Sequence, residues 1–148
     1  MVDLNKQDPL LEAIELFYFA YRAFTAGPDR ILQEKSLGRV HHRILYFIAR
    51  NPQININQLL TILDVSKQAL NAPLRNLIDA GLIITDSAEH DRRIKQLKLS
   101  REGQKLETLL TSTQRKHLEM AFSQADNRAE KGWREVMQLI APLTKSNA

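Results

Sequence analysis

Three residues, Asp64-Val65-Ser66, separate two stretches of helical periodicity, and no other feature restricts the fold as strongly. Before them, Ile56, Leu59, Leu60 and Leu63 share one side of a helix. After them, Leu70, Leu74, Leu77 and Ile78 recur at i, i+4, i+7 and i+8. So short a connection permits only a tight turn. Each helix also carries its own start signal. Asn55 and Gln58 have the spacing of a capping box, in which each side chain satisfies the other residue's free backbone N–H. Ser66 is a good N-cap for the second helix, expected over 67–80, and Gly81 sits where a left-handed residue ends a helix.

A ribbon follows. Ile83, Ile84 and Thr85 on one side, and Leu97 and Leu99 alternating with Lys98 on the other, read as two strands around the loop-like SAEHD. Helix, tight turn, helix and ribbon is the layout of a winged helix-turn-helix, whose second helix lies in the major groove of DNA. With its leucines inward, that helix turns Lys67, Gln68, Asn71, Arg75 and Asp79 outward. Amides pair with adenine and arginine with guanine, while Lys67 and Ser66 suit phosphate contacts. The wing, residues 87–93, is expected to meet the neighbouring minor groove, which attracts inserted arginine. Arg93 fits that place. Asp91, two residues back, is expected to hold its guanidinium in one pose, with Arg92 and Lys95 neutralising flanking phosphates. Between Ser66 and Lys105, eight basic residues face five acidic ones, a net +3 of the chain's +4.

The flanks are helical. Asp8-Pro9 opens a first helix with Leu10, Ile14, Phe17, Tyr21 and Phe24 on one stripe; AGPDR (26–30) is expected to break it, with a further turn before Gly38. Val40, Ile44, Leu45, Phe47 and Ile48 mark a second helix, stopped by Asn51-Pro52. Ser100 caps a long helix with Leu106, Leu109, Leu110, Thr113, His117, Met120 and Ala121 on one side, where His117 is expected to have a buried partner. Asn127 and Glu130 offer another capping box before a stripe of Ala129, Trp133, Val136, Met137, Ile140 and Leu143.

Bulk properties exclude more than they choose. In 148 residues, 43% hydrophobic and 26% charged, there is room for one domain with a respectable core. The absence of cysteine excludes disulfides and thiolate zinc sites. Adjacent His41 and His42 point about 100° apart on a helix, so they do not chelate one ion; no metal and no cofactor are expected. Nor is there a nucleophile elbow, a phosphate loop or a ligand cluster, so no enzymatic activity is expected. Without a signal-peptide layout or a membrane-length apolar run, a cytoplasmic location and no membrane partner are the expectation.

LLTILDVSKQALNAPLRNLIDAGLI (59–83) and DRRIKQLKLSREG (91–103) resemble the MarR family of bacterial winged-helix transcriptional regulators. The second is similar to that family's wing signature, Asp-x-Arg followed by a strand ending in Leu-Thr/Ser-x-x-Gly; Asp91, Arg93, Leu99, Ser100 and Gly103 fill its places. The resemblance implies a homodimer presenting two recognition helices to a palindromic operator in double-stranded DNA, most often as a repressor. It divides the chain into an N-terminal dimerisation helix and connector (1–36), a DNA-binding region (37–103) and C-terminal dimerisation helices (104–148). The fold class is thus mainly α with a small β-hairpin wing. A small aromatic or anionic effector is implied between the two regions, for which Phe17, Tyr21, His41 and Tyr46 are candidates. Core and dimer packing explain the same aromatics, and His41 also suits an interface. Pro73, inside the recognition helix, is a departure from which a kink is expected. The alternative reading is a winged-helix protein-interaction module without specific DNA binding.

Overall fold

The computed structural model describes residues 8–141, so Leu143 of the expected last stripe lies outside the described residues. In chain order these form α1 (Pro9–Glu34), α2 (Arg39–Arg50), β1 (Ile54–Asn55), α3 (Ile56–Leu63), α4 (Lys67–Asp79), β2 (Ile83–Ala88), β3 (Asp91–Leu99), α5 (Arg101–Gln124) and α6 (Ala129–Ile140). The chain divides into two compact units between Gln114 and Arg115.

Local chemistry sets most boundaries. Asp8 caps α1 by accepting from the Leu10 N–H at 2.9 Å. Asn55 and Gln58 close their capping box in both directions, at 2.9 and 2.8 Å. Ser66 accepts from the Ala69 N–H at 3.1 Å, and Gly81, at φ +75°, follows the C-cap of α4. Between α3 and α4, Asp64 itself takes the left-handed conformation, φ 54° and ψ 50°, that a turn this short demands. Ser100 caps α5 from the Gly103 N–H at 3.0 Å and donates to the Gly81 carbonyl at 2.6 Å, which ties the start of α5 to the end of α4.

The core of the first unit gathers one face from each element. Leu32, Ile44, Leu45, Leu59, Leu70, Leu77, Leu97 and Leu110 are fully buried. Each contributes about 1.5–3 kcal/mol relative to exposure, so these faces orient the helices. The phase of α4 follows: Leu70, Leu74 and Leu77 point inward and Lys67, Gln68, Asn71, Arg75 and Asp79 outward.

Four expectations need correction. AGPDR does not break α1, which runs on through Pro28. Thr25, Pro28 and Leu32 are buried, and Gly27 has no Cβ to meet the proline ring, which relieves the clash that keeps most residues before proline out of a helix. The ribbon gains a third strand: Ile54 and Asn55 pair with Leu97 and Gln96, giving the antiparallel order β1-β3-β2. The box between Asn127 and Glu130 does not form. Asp126 accepts from the Arg128 N–H instead, at 2.9 Å, and Glu130 is drawn into an ion pair with Arg134. His117 is exposed, as are Leu109 and Met120 on the same stripe. Through Pro73, α4 continues as one helix, held by its buried leucines on either side.

Candidate nucleic-acid interface

The outward side of α4 is uncovered. Ser66, Lys67, Gln68, Asn71 and Arg75 are all exposed. Asn76, further along, has Oδ1 3.4 Å from His41 Nε2, while His41 Nδ1 accepts the Gly38 N–H at 2.9 Å. His41 therefore fixes the start of α2 and reaches α4 within its own chain.

Beside α4 the wing departs from a regular hairpin. Its ladder pairs Ile83 with Leu99, Thr85 with Leu97 and Ser87 with Lys95, then jumps to Ala88 with Asp91. Arg92, Arg93 and Ile94 are thus left out of register, and the turn itself is Glu89-His90. This irregularity brings Asp91 and Arg93 together. Arg93 donates to Asp91 three times: from its backbone N–H to Oδ1 at 2.9 Å, from Nε to Oδ1 at 3.1 Å and from Nη2 to Oδ2 at 3.0 Å. Such a two-pronged charged pair fixes a plane as well as a distance. The guanidinium holds the Asp91 carboxyl below the usual carboxylate range, first through the side-chain hydrogen bonds and then the backbone one. Arg93 nevertheless stays 91% exposed, posed and open to a partner. Arg92 and Lys95 are exposed as well.

A cavity of about 300 Å³ lies between α1 and α2, lined by Tyr21, Phe24, Thr25, Pro28, Asp29, Arg39, His42, Arg43, Tyr46, Phe47 and Gln114. Of the aromatic-wall candidates, Tyr21 and Tyr46 stand on it. Phe17 is higher on α1 and half exposed, and His41 is engaged with Gly38, so neither lines it. Arg39 is held by Asp29 (Nε to Oδ2 3.0 Å, Nη2 to Oδ2 2.8 Å) and lies 5.7 Å from the Tyr21 ring centre.

Behind the cavity is a buried polar chain that sequence reasoning missed. The Thr111 hydroxyl donates to Glu107 Oε2 at 2.6 Å, so the contact between Thr111 Oγ1 and His42 Nε2, at 3.3 Å, makes His42 the donor there. Arg50 donates to the same Glu107 oxygen at 2.8 Å and stacks 4.1 Å from the Tyr46 ring centre. Burial pushes His42 below the ordinary imidazole range, against the opposing pull of Glu107 and Asp29. Among the described residues no cluster of three or more His, Asp or Glu could hold a metal, and no helix is long and apolar enough to cross a membrane.

A sequence model described as the MarR family matches residues 35–94, which take in the whole helix-turn-helix and most of the wing. The HTH-type transcriptional regulator PetP of Rhodobacter capsulatus is 41% identical over 133 residues, spanning 90% of this chain and 80% of PetP. Streptococcus pneumoniae FabT, solved in complex with DNA, has a TM-score of 0.79 at 18% identity, over 90% of this chain and 99% of that one. The S. aureus MepR–DNA complex has a TM-score of 0.69 at 20% identity, over 87% and 96%. Fold, wing and sequence thus agree: the chain belongs to the MarR family, winged-helix regulators of transcription rather than enzymes.

Proposed function

We propose that two copies of this chain bind a palindromic operator as a cytoplasmic repressor, with both α4 helices in the major groove and both wings in the flanking minor grooves. One observation carries the reading: the polar side of α4 is free of its own protein, beside an arginine already posed by Asp91. Ser66, Lys67, Arg92 and Lys95 take phosphates, Gln68, Asn71 and Arg75 meet base edges, and Arg93 enters the minor groove. FabT and MepR, whose fold this chain shares, were solved with DNA.

Pairing rests on apolar surface. In the first unit Leu10 is 73% exposed, with Leu11, Ile14, Phe17 and Tyr18 also open on α1; in the second Leu139 is 76% exposed, with Met120, Val136 and Ile140 also open on α5 and α6. Exposed apolar side chains in such number on each unit favour an interface. Segments 1–36 and 104–148 supply it and flank the reading region 37–103. The two half-sites then lie roughly 34–36 Å apart, one turn of the duplex. The cavity between α1 and α2 takes the effector: aromatic walls at Tyr21 and Tyr46 suit a ring, and Arg39 and Arg43 suit an anionic group.

Selection of bound duplexes from a random pool by the purified protein tests the reading. Enrichment of a palindrome with half-sites one turn apart is expected, together with a dimer in sedimentation. A monomer that enriches no sequence overturns it in favour of a protein-interaction module.

A further inference from the structure

The stripe of α4 that points most directly away from the core runs through Gln68, Ala72, Arg75 and Asp79, at i, i+4, i+7 and i+11, opposite Leu70, Leu74 and Leu77. Three of the four are the long or charged residues a solvated face attracts. Ala72, at the middle, is exposed and carries only a methyl group. Exposed Ala69, on the flank of the stripe, is equally small.

A small residue at the centre of a reading helix has two effects. It lets the helix axis approach the groove floor, where a longer side chain would hold it off. It also offers an apolar contact at the depth where one base alone is apolar: thymine, by its C5-methyl group. The neighbours agree. Gln68, one turn earlier and about 5–6 Å away at Cβ, suits the N6 and N7 edge of adenine. Arg75 on the stripe and Lys67 beside it bring positive charge, while Asp79 is repelled by phosphate, so it is the Gln68–Arg75 half that faces DNA.

Resting on the operator-binding function proposed above, we propose that Ala72 is a specificity residue, its methyl group packing on the C5-methyl of a thymine in each half-site close to an adenine paired by Gln68. Base preference at that step then comes from a contact with no hydrogen bond in it.

Uracil tests this, because it removes the methyl group and leaves the pairing edge unchanged. Each thymine of the selected operator is replaced by uracil in turn, and binding is measured for the native chain, Ala72→Gly and Ala72→Ser. One position per half-site is expected to lose about fourfold in affinity with the native chain, the value of one buried carbon. The same replacement should cost nothing with Ala72→Gly. Ala72→Ser, which keeps the helix but places a hydroxyl against the methyl, should bind uracil as well as thymine or better. Uracil sensitivity that persists in Ala72→Gly, or none at any position with the native chain, overturns the assignment while leaving operator binding intact. Failure to enrich any duplex overturns both and is recognised by equal binding to competitor DNA.

Discussion

Replacing Gly103 with alanine sets two physical effects against each other with opposite signs. Gly103 is in the first turn of α5, where helix propensity favours alanine by about 1 kcal/mol. Geometry opposes it. A Cβ built there would lie 2.1 Å from the Leu82 carbonyl oxygen and 3.0 Å from its carbon, both backbone atoms that cannot rotate away. To reach a tolerable contact, α5 and the Leu82 peptide must part by about 1 Å. That peptide accepts the Ser100 N–H at 3.0 Å, beside the bond from Ser100 Oγ to the Gly81 carbonyl, and both are strained by the movement. Overpacking costs about 1–3 kcal/mol and a weakened hydrogen bond about 0.5–1.5 kcal/mol. Less the propensity gain, Gly103→Ala should destabilise the fold by roughly 1–3 kcal/mol. In urea unfolding at fixed protein concentration, the midpoint should fall by about 1 M with the slope unchanged. A midpoint equal to or above that of the native chain would mean propensity governs this position and the close approach is of no consequence.

Other perturbations probe the wing and the buried chain. Arg93→Ala should lose about 1–3 kcal/mol of operator binding with an unchanged unfolding midpoint, since the side chain is open to solvent; retained affinity at physiological salt would remove the wing from the interface. His42 is held below its ordinary value of 6.5 by burial, so the unfolded chain takes up this proton at higher pH than the folded one. Stability should therefore fall as pH drops from about 6.5 towards the folded value, and His42→Gln should flatten that slope in unfolding measured between about pH 7.5 and 5.5. A slope unaltered by the substitution would place the pH dependence elsewhere. Arg50→Ala leaves the Glu107 carboxylate, 7% exposed, with Thr111 as its remaining partner; because Arg50 itself is 43% exposed, screening limits the expected loss to about 1–2 kcal/mol. The double variant with Glu107→Gln should recover part of it, and strict additivity of the two would show that the pair is not coupled.

What could be read from the chain was what short-range chemistry determines. Asn55–Gln58, Ser66 and Ser100 announce helix starts by hydrogen bonds spanning three residues, and the structure contains each of them. The tight turn and the phase of α4 follow from the same scale. The Asp91–Arg93 clamp, two residues apart, was legible for that reason too. Where long-range packing competes with a local signal, the local signal loses. Pro28 reads as a helix breaker, yet the burial of Thr25, Pro28 and Leu32 carries α1 past it. Two-residue β1 has no pattern of its own to read; its existence depends on β3 offering a free edge.

The buried chain shows why a polar network resists prediction. On α2, the positions of Ile44, Leu45 and Ile48 place His41 on the inward side by helical phase alone, with His42 about 100° round. The burial is the reverse, for two reasons that lie outside α2. The first is Gly38, whose N–H draws the His41 ring back over the start of the helix. The second is α5, which arrives from 69 positions along the chain and closes over His42 with Thr111. Glu107 illustrates the same dependence from the other side. A carboxylate next to Leu106 reads as the solvated edge of an apolar stripe, and it is tolerated inside only because Thr111 and Arg50 both donate to it. Each member of the chain is thus acceptable in the interior only in the presence of the others. Their joint effect is to fasten α2, which walls the cavity, to α5, which begins at the foot of the wing.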